Sequence, residues 1–140
     1  MRVLIADDNG SLAPSSLIFL ALWGHEVETA RDGLEALRKV RSWRPDLVLA
    51  GVSLERMDGL SLTAAIRARL ETRHVEVVLA SGVEDPVARR RSEEVGAFAW
   101  IPLPLVIPDL QRVLARLRAT GGTVGGEGGV RGARRTGKAA

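Results

Sequence analysis

The chain has no cysteine and no tyrosine, and its only aromatic side chains are three tryptophans and two phenylalanines. Without cysteine there is no disulfide framework, no thiolate zinc site and no cysteine nucleophile. Two histidines, His25 and His74, are too few for a histidine-rich metal site. A long apolar run is missing as well. The longest, Leu12 to Trp23, is interrupted by Pro14, Ser15 and Ser16 and is too short to span a bilayer. The apolar stretch that follows Met1-Arg2 ends after Ala6 in two acids, which is not a secretory signal. A cytoplasmic protein of one domain is the expectation for 140 residues of this kind.

An excess of one charge is also absent from most of the chain. Residues 1–119 hold 16 Lys and Arg against 16 Asp and Glu. The net charge of +3 comes from residues 120–140, where Arg131, Arg134, Arg135 and Lys138 stand against Glu127. A neutral body argues against nucleic-acid binding, because neutralising phosphates needs a basic face. The last segment has eight glycines between Gly121 and Gly137 and almost no large apolar side chain. It cannot bury enough surface to offset its backbone entropy, so disorder is expected there. Such a basic end suits RNA, an acidic lipid surface or an acidic partner, or it is a plain solvated extension. The expected division is a folded body at 1–119 and a tail at 120–140.

Within the body, short apolar runs alternate with helical patterns. Strands are expected at Val3–Ala6, Glu26–Thr29, Leu47–Ala50, Val75–Ala80 and Ala97–Ile101. Helices are expected at Ser11–Trp23, from Asp32-Gly33 to Arg44-Pro45, at Gly59–Leu70, Asp85–Val95 and Leu105–Leu117. Strands that alternate with helices make a parallel sheet covered on both faces, since parallel neighbours need crossovers. The uninterrupted apolar character of most of the strands agrees with burial on both faces. Ligands of such sheets bind at the carboxyl ends of the strands. The positions there are Asp7-Asp8-Asn9, Gly51-Val52-Ser53, Ser81-Gly82 and Pro102-Leu103-Pro104.

With these residues in order, the chain resembles the receiver domain of two-component response regulators over residues 2–118. The resemblance is carried by Val3-Leu4-Ile5-Ala6-Asp7-Asp8-Asn9, Gly24-His25-Glu26-Val27, Asp32-Gly33-Leu34-Glu35-Ala36-Leu37 and Arg44-Pro45-Asp46-Leu47-Val48-Leu49. It continues through Met57-Asp58-Gly59-Leu60, Val77-Val78-Leu79-Ala80-Ser81-Gly82 and Gly96-Ala97. It implies a flavodoxin-like α/β fold, a doubly wound (βα)5 sheet of strand order 2-1-3-4-5. It also implies roles for single residues. Asp7 and Asp8 match the acidic pair that helps hold Mg²⁺, with Asp8 and the backbone carbonyl of Ser53 as metal ligands. Ser81 matches the hydroxyl that binds a phosphoryl oxygen, and Trp100 the switch aromatic of the fifth strand. The phosphoacceptor position falls on Gly51 and the lysine position on Leu103, ahead of Pro104, where the family's bond is usually cis.

Gly51 and Leu103 depart from the pattern. Phosphoryl transfer to aspartate needs an ionised carboxylate, and glycine has none. An alkyl chain replaces the ammonium that would meet the phosphoryl charge. Any Mg²⁺ is expected to be weak, because a hard cation prefers several carboxylate oxygens. The reading is therefore a stand-alone pseudo-receiver that works by protein contact, with no enzymatic activity. Its candidate interface covers the fourth helix, fifth strand and fifth helix, with Arg89, Arg90, Arg91, Glu93, Glu94, Trp100, Gln111, Arg112 and Arg116. The arginines and glutamates of the fourth helix are able to pair along that helix. Their mixed signs also suit a homodimer.

Other readings remain open on the sequence. Asp7-Asp8 also fits a simple helix cap. Asp7, Asp8 or Asp58 is an alternative phosphoacceptor, and Ser53 or Thr63 an acceptor for a Ser/Thr kinase. Asp7-x-Asn9 weakly resembles the Mg²⁺-dependent haloacid-dehalogenase phosphatases.

Overall fold

The computed structural model describes residues 1–120. The segment read as a disordered tail lies, from residue 121 onward, outside the described residues. The elements follow in the order β1 (Arg2–Ala6), α1 (Ala13–Leu22), β2 (Glu26–Ala30), α2 (Gly33–Trp43), β3 (Leu47–Gly51), α3 (Gly59–Arg67), β4 (Glu76–Ser81), α4 (Pro86–Glu94), β5 (Ala99–Pro102) and α5 (Ile107–Ala119). The strands form one parallel sheet in the order β2-β1-β3-β4-β5. The architecture is the flavodoxin-like one.

Alternation along the strands splits the core in two. Val3, Ile5, Leu47, Leu49, Val78 and Ile101 face one side, against Leu12 and Leu20 near α1 and Leu110, Val113, Leu114 and Leu117 of α5. Leu4, Ala6, Val48, Ala50, Val77 and Leu79 face the other, against Ala36 and Val40 of α2 and Leu62 and Ile66 of α3. Four residues in each of β1, β3 and β4 are buried, whereas β2, at the edge, keeps Glu26, Glu28 and Thr29 exposed. Trp23 and Trp43 pack against the two cores, one on each side of the sheet.

Several boundaries differ from the sequence expectation. The first helix begins at Ala13 rather than Ser11, because Asn9 Oδ1 accepts the Ser11 N–H at 3.0 Å and Gly10 sits at φ +79°. The third helix stops at Arg67 instead of Leu70. The Thr72 hydroxyl donates to the Ile66 carbonyl at 2.7 Å, and Leu70 stands 74% exposed with nothing to hold a further turn. The last strand starts at Ala99, the first residue paired with β4, and not at Ala97. The last helix starts at Ile107, with Pro108 in its first turn, where a missing N–H leaves no bond unmade.

Candidate functional site

The strand register assembles one end of the sheet. Ala6 lies beside Ala50, Gly51 beside Ala80, and Ser81 beside Pro102. The segments that start at Asp7, Val52, Gly82 and Leu103 therefore leave the sheet side by side.

Asp7, Asp8 and Ser81 each have a backbone partner there. Asp7 Oδ2 accepts the N–H groups of Leu12 at 3.0 Å and Ala13 at 2.7 Å, capping α1 from outside the helix. That matters because Leu12, at the N-cap position, has no side chain that caps. Asp8 is exposed, and its Oδ2 accepts the Glu55 N–H at 3.2 Å, joining the β1–α1 and β3–α3 loops. The Ser81 hydroxyl donates to the Val83 carbonyl at 3.1 Å and lies 3.2 Å from the Val83 N–H. Asp58 caps α3 by accepting the Ser61 N–H at 2.7 Å. Ser53 is exposed, whereas Thr63 is fully buried with its hydroxyl on the Gly59 carbonyl at 2.8 Å, out of reach of a kinase.

Gly51 ends β3 with a backbone outside the left-handed region, and a Cβ added there meets no heavy atom within 4 Å. Two neighbouring glycines are different. At Gly59 a Cβ would stand 2.6 Å from the Gly51 carbonyl oxygen, and at Gly33 it would stand 1.8 Å from that of Met57. Close packing demands glycine at 33 and 59; nothing of the kind demands it at 51. Leu103 is half-buried, packs against the α1–α5 core, and donates its N–H to the Ser81 carbonyl at 2.8 Å. The Leu103–Pro104 bond is cis.

The donors fit a tightly held Mg²⁺ poorly. Asp7 is committed to α1, Gly51 supplies no oxygen from a side chain, and an octahedral hard cation draws on carboxylates held free for it. Among the described residues no group of three or more His, Cys, Asp or Glu is placed to hold a metal ion.

On the neighbouring face, Trp100 is half-buried against the α2–α3 core. Arg89, Arg90, Arg91, Glu93 and Glu94 are all exposed. The pairing that the spacing permits along α4 is not seen: among the described residues, the ion pairs within 4.0 Å involve other side chains. Arg112 is bound to Asp109 at 3.0 Å, Arg116 stacks 4.7 Å over the Phe98 ring, and Gln111 is exposed.

One polar cluster was not singled out in the sequence. Asp32 Oδ1 accepts the Glu35 N–H at 2.8 Å, and Glu35 Oε1 accepts the Arg31 N–H at 2.8 Å. Arg56, at φ +68°, places its guanidinium 3.7 Å from Asp32. The Glu35 N–H, opposed by desolvation and helped by Arg56, holds the Asp32 carboxyl below its ordinary range. The Asp-x-x-Glu spacing is a sequence signal for this cap; the left-handed Arg56 left none. Arg56 also borders a shallow hollow with Leu54, Met57, Asp58 and Ser61.

An open parallel sheet of this order, with an acidic pair after its first strand, has the CheY-like architecture. The chain belongs to the response regulator receiver domain family, whose model matches residues 3–115. It is 40% identical over 124 residues to the transcriptional regulatory protein PrrA of Mycobacterium leprae, covering 87% of this chain and 52% of that one. To the response regulator MprA of Mycobacterium avium it is 34% identical over 120 residues, covering 85% and 50%. The chain thus spans about half the length of these curated relatives. Among solved structures, the Vibrio cholerae chemotaxis protein CheY4 superposes with a TM-score of 0.76 at 30% identity, covering 82% of this chain and 96% of that one. The CheY-like receiver of Methanospirillum hungatei does so with 0.76 at 26% identity, covering 84% and 94%. Receiver domains are in general signalling modules of two-component systems and not enzymes.

Proposed function

We propose that this chain is a pseudo-receiver: a two-component receiver domain that signals by protein contact without accepting a phosphoryl group. The observation that carries the proposal is Gly51. The position that the family resemblance assigns to the acceptor has no side chain, although a Cβ there has open space. Loss of the acceptor is therefore a loss of chemistry and not a demand of packing. Leu103 supports the same reading, since no ammonium stands at the family's lysine position. The proposal extends to the absence of catalysis, to weak Mg²⁺ affinity at Asp8 and the Ser53 carbonyl, and to a cytoplasmic setting.

The partner surface we assign is α4, β5 and α5. Three adjacent exposed arginines without an ion pair among the described residues suit a protein with an acidic patch. A second copy is the other occupant of this face, favoured by Glu93 and Glu94 beside the arginines.

The test is incubation with acetyl phosphate and Mg²⁺ followed by intact-mass measurement. The native chain is expected to gain no mass, and the Gly51→Asp, Leu103→Lys double variant to gain one phosphoryl group. Stoichiometric labelling of the native chain overturns the proposal. Asp8 or Asp58 is then the acceptor to examine, as Asp7 already serves α1. Turnover of a phosphomonoester that disappears in Asp7→Asn would favour the phosphatase reading instead.

A further inference from the structure

Charge is unevenly placed on the body, although its formal total is zero. The five loops that lead from a strand to the next helix hold seven Asp and Glu against Arg31 and Arg56, a net charge of −5. The four loops that lead from a helix back to a strand hold Arg44, Arg69 and Arg73 against Asp46 and Glu71, a net charge of +1. The carboxyl end of the sheet, its mouth, is therefore the acidic pole. Both arginines there are engaged, Arg31 at 3.7 Å from Glu35 and Arg56 at 3.7 Å from Asp32. Asp7, Asp32, Asp58 and Asp85 each cap the start of a helix. Asp8, Glu55 and Glu84 cap none. All three are exposed, and among the described residues none has a cation within 4.0 Å. The Glu55 N–H, donated to Asp8 Oδ2 at 3.2 Å, keeps two of them together.

The cations that complement these carboxylates lie elsewhere in the chain. Between residues 131 and 138 stand Arg131, Arg134, Arg135 and Lys138, with no acid among them. We propose that this segment docks on the mouth of its own molecule and covers it, with its cationic side chains on Asp8, Glu55 and Glu84. Reach permits the contact. Helix α5 starts beside the mouth and runs away from it for thirteen residues, about 20 Å, to Ala119. The eleven residues from Thr120 to Arg131 span at most about 40 Å, enough to return. Charge selects the far end over the near one, because the loops at the near end are net positive. A guanidinium fork meets both oxygens of a carboxylate. Exposed pairs of this kind are individually weak. Tethering compensates, since a segment on a short linker acts at an effective concentration in the millimolar range. A second molecule matches that only at comparable concentration. The contact rests on the charge of the mouth and not on whether the mouth accepts a phosphoryl group.

Because the chain has no cysteine, Thr136→Cys gives a single attachment point for a nitroxide. Nuclear magnetic resonance of the labelled full chain then reads which amides the segment approaches. At about 0.01 M salt, the amides of Asp8, Gly51, Glu55 and Glu84 are expected to lose most of their intensity. At about 1 M salt, where the screening length falls to about 3 Å, they are expected to recover it. Dilution is expected to change nothing. The triple variant Asp8→Asn, Glu55→Gln, Glu84→Gln is expected to abolish the broadening, and so is Arg134→Glu with Arg135→Glu. The second variant leaves the body unaltered and is read alone if the first fails to fold. No broadening at any salt, broadening spread over the surface, or broadening centred on the amino end of the sheet overturns the proposal. Broadening at the mouth that fades on dilution also overturns it, and assigns the segment to a second copy. Broadening that survives both sets of charge variants overturns it as well.

Discussion

The two ends of the sheet use their polar side chains differently. At the amino end, long charged side chains tie separate segments together. Arg2 donates its backbone N–H to Asp46 at 2.8 Å, pairs with Glu26 at 2.9 Å, bonds the Trp43 carbonyl and lies over the Trp43 ring. Arg67 donates to the carbonyls of Gly96 at 3.0 Å, Arg73 at 2.6 Å and Val75, and pairs with Glu76 at 3.0 Å. At the carboxyl end, the end assigned to chemistry in the family, Asp7, Asp8 and Ser81 serve nearby backbone, Gly51 has no side chain and Leu103 contributes an alkyl chain. One end joins separate segments through long charged side chains. The other turns its polar side chains to loop and turn backbone close by.

That contrast breaks most clearly at Arg67. Arg67→Ala strips three carbonyls and Glu76 of their donor in a largely buried place, and is expected to cost about 2–4 kcal/mol by urea unfolding. Ser81→Ala at the opposite end is expected to cost under about 1 kcal/mol, since it removes one local turn contact. Equal losses would erase the distinction between the two ends.

The glycines sharpen the point within the mouth. Gly59→Ala drives a methyl group into the Gly51 carbonyl and is expected to cost about 1–3 kcal/mol. Gly51→Ala meets open space, so stability is expected to hold or to rise by up to about 1 kcal/mol as the unfolded chain loses freedom. Thermal unfolding of the two variants side by side decides whether Gly51 has a structural role.

A smaller loss, about 1–2 kcal/mol in chemical unfolding, is expected for Asp7→Ala, which uncaps α1. Glu and Asn at this position separate charge from shape: Asn keeps an acceptor and is expected to recover part of the loss.

The smallest effect belongs to pH. His25 Nδ1 lies 3.1 Å from the terminal amino group of Met1. Burial first, then that ammonium, then Arg118, lowers the His25 pKa from its ordinary 6.5. The unfolded chain therefore takes up this proton before the folded one as pH falls. Stability is expected to decline as pH drops through about 6.5 and to level once the folded imidazole is itself protonated. In His25→Gln the unfolding midpoint is expected to lose this part of its slope between pH 8 and 5.

Much of the architecture was legible because strands buried on both faces must be apolar throughout. Leu47–Ala50 and the apolar run within Val75–Ala80 have the length and the β-branched or aliphatic content of buried strands. The odd residues of the mouth were legible too, since Gly51 and Leu103 are visible as letters. What could not be read was which groups each residue would meet. Asp7 carried two readings, a member of an acidic pair and a helix cap, and only the packed chain places the N–H groups of Leu12 and Ala13 on its carboxylate. The arginine and glutamate run of α4 has a spacing that permits internal pairs, yet solvent competes well enough for those exposed side chains that no such pair is formed among the described residues.

Sequence alone determined the order of elements and the parallel sheet, because periodicity and residue type act locally, and the family resemblance put Gly51 and Leu103 where a carboxylate and an ammonium are implied. Tertiary structure alone decided that Gly51 has room for a side chain while Gly59 has none, and that Arg67 gathers carbonyls from distant segments. Those outcomes depend on distances between segments far apart along the chain, which only packing can set.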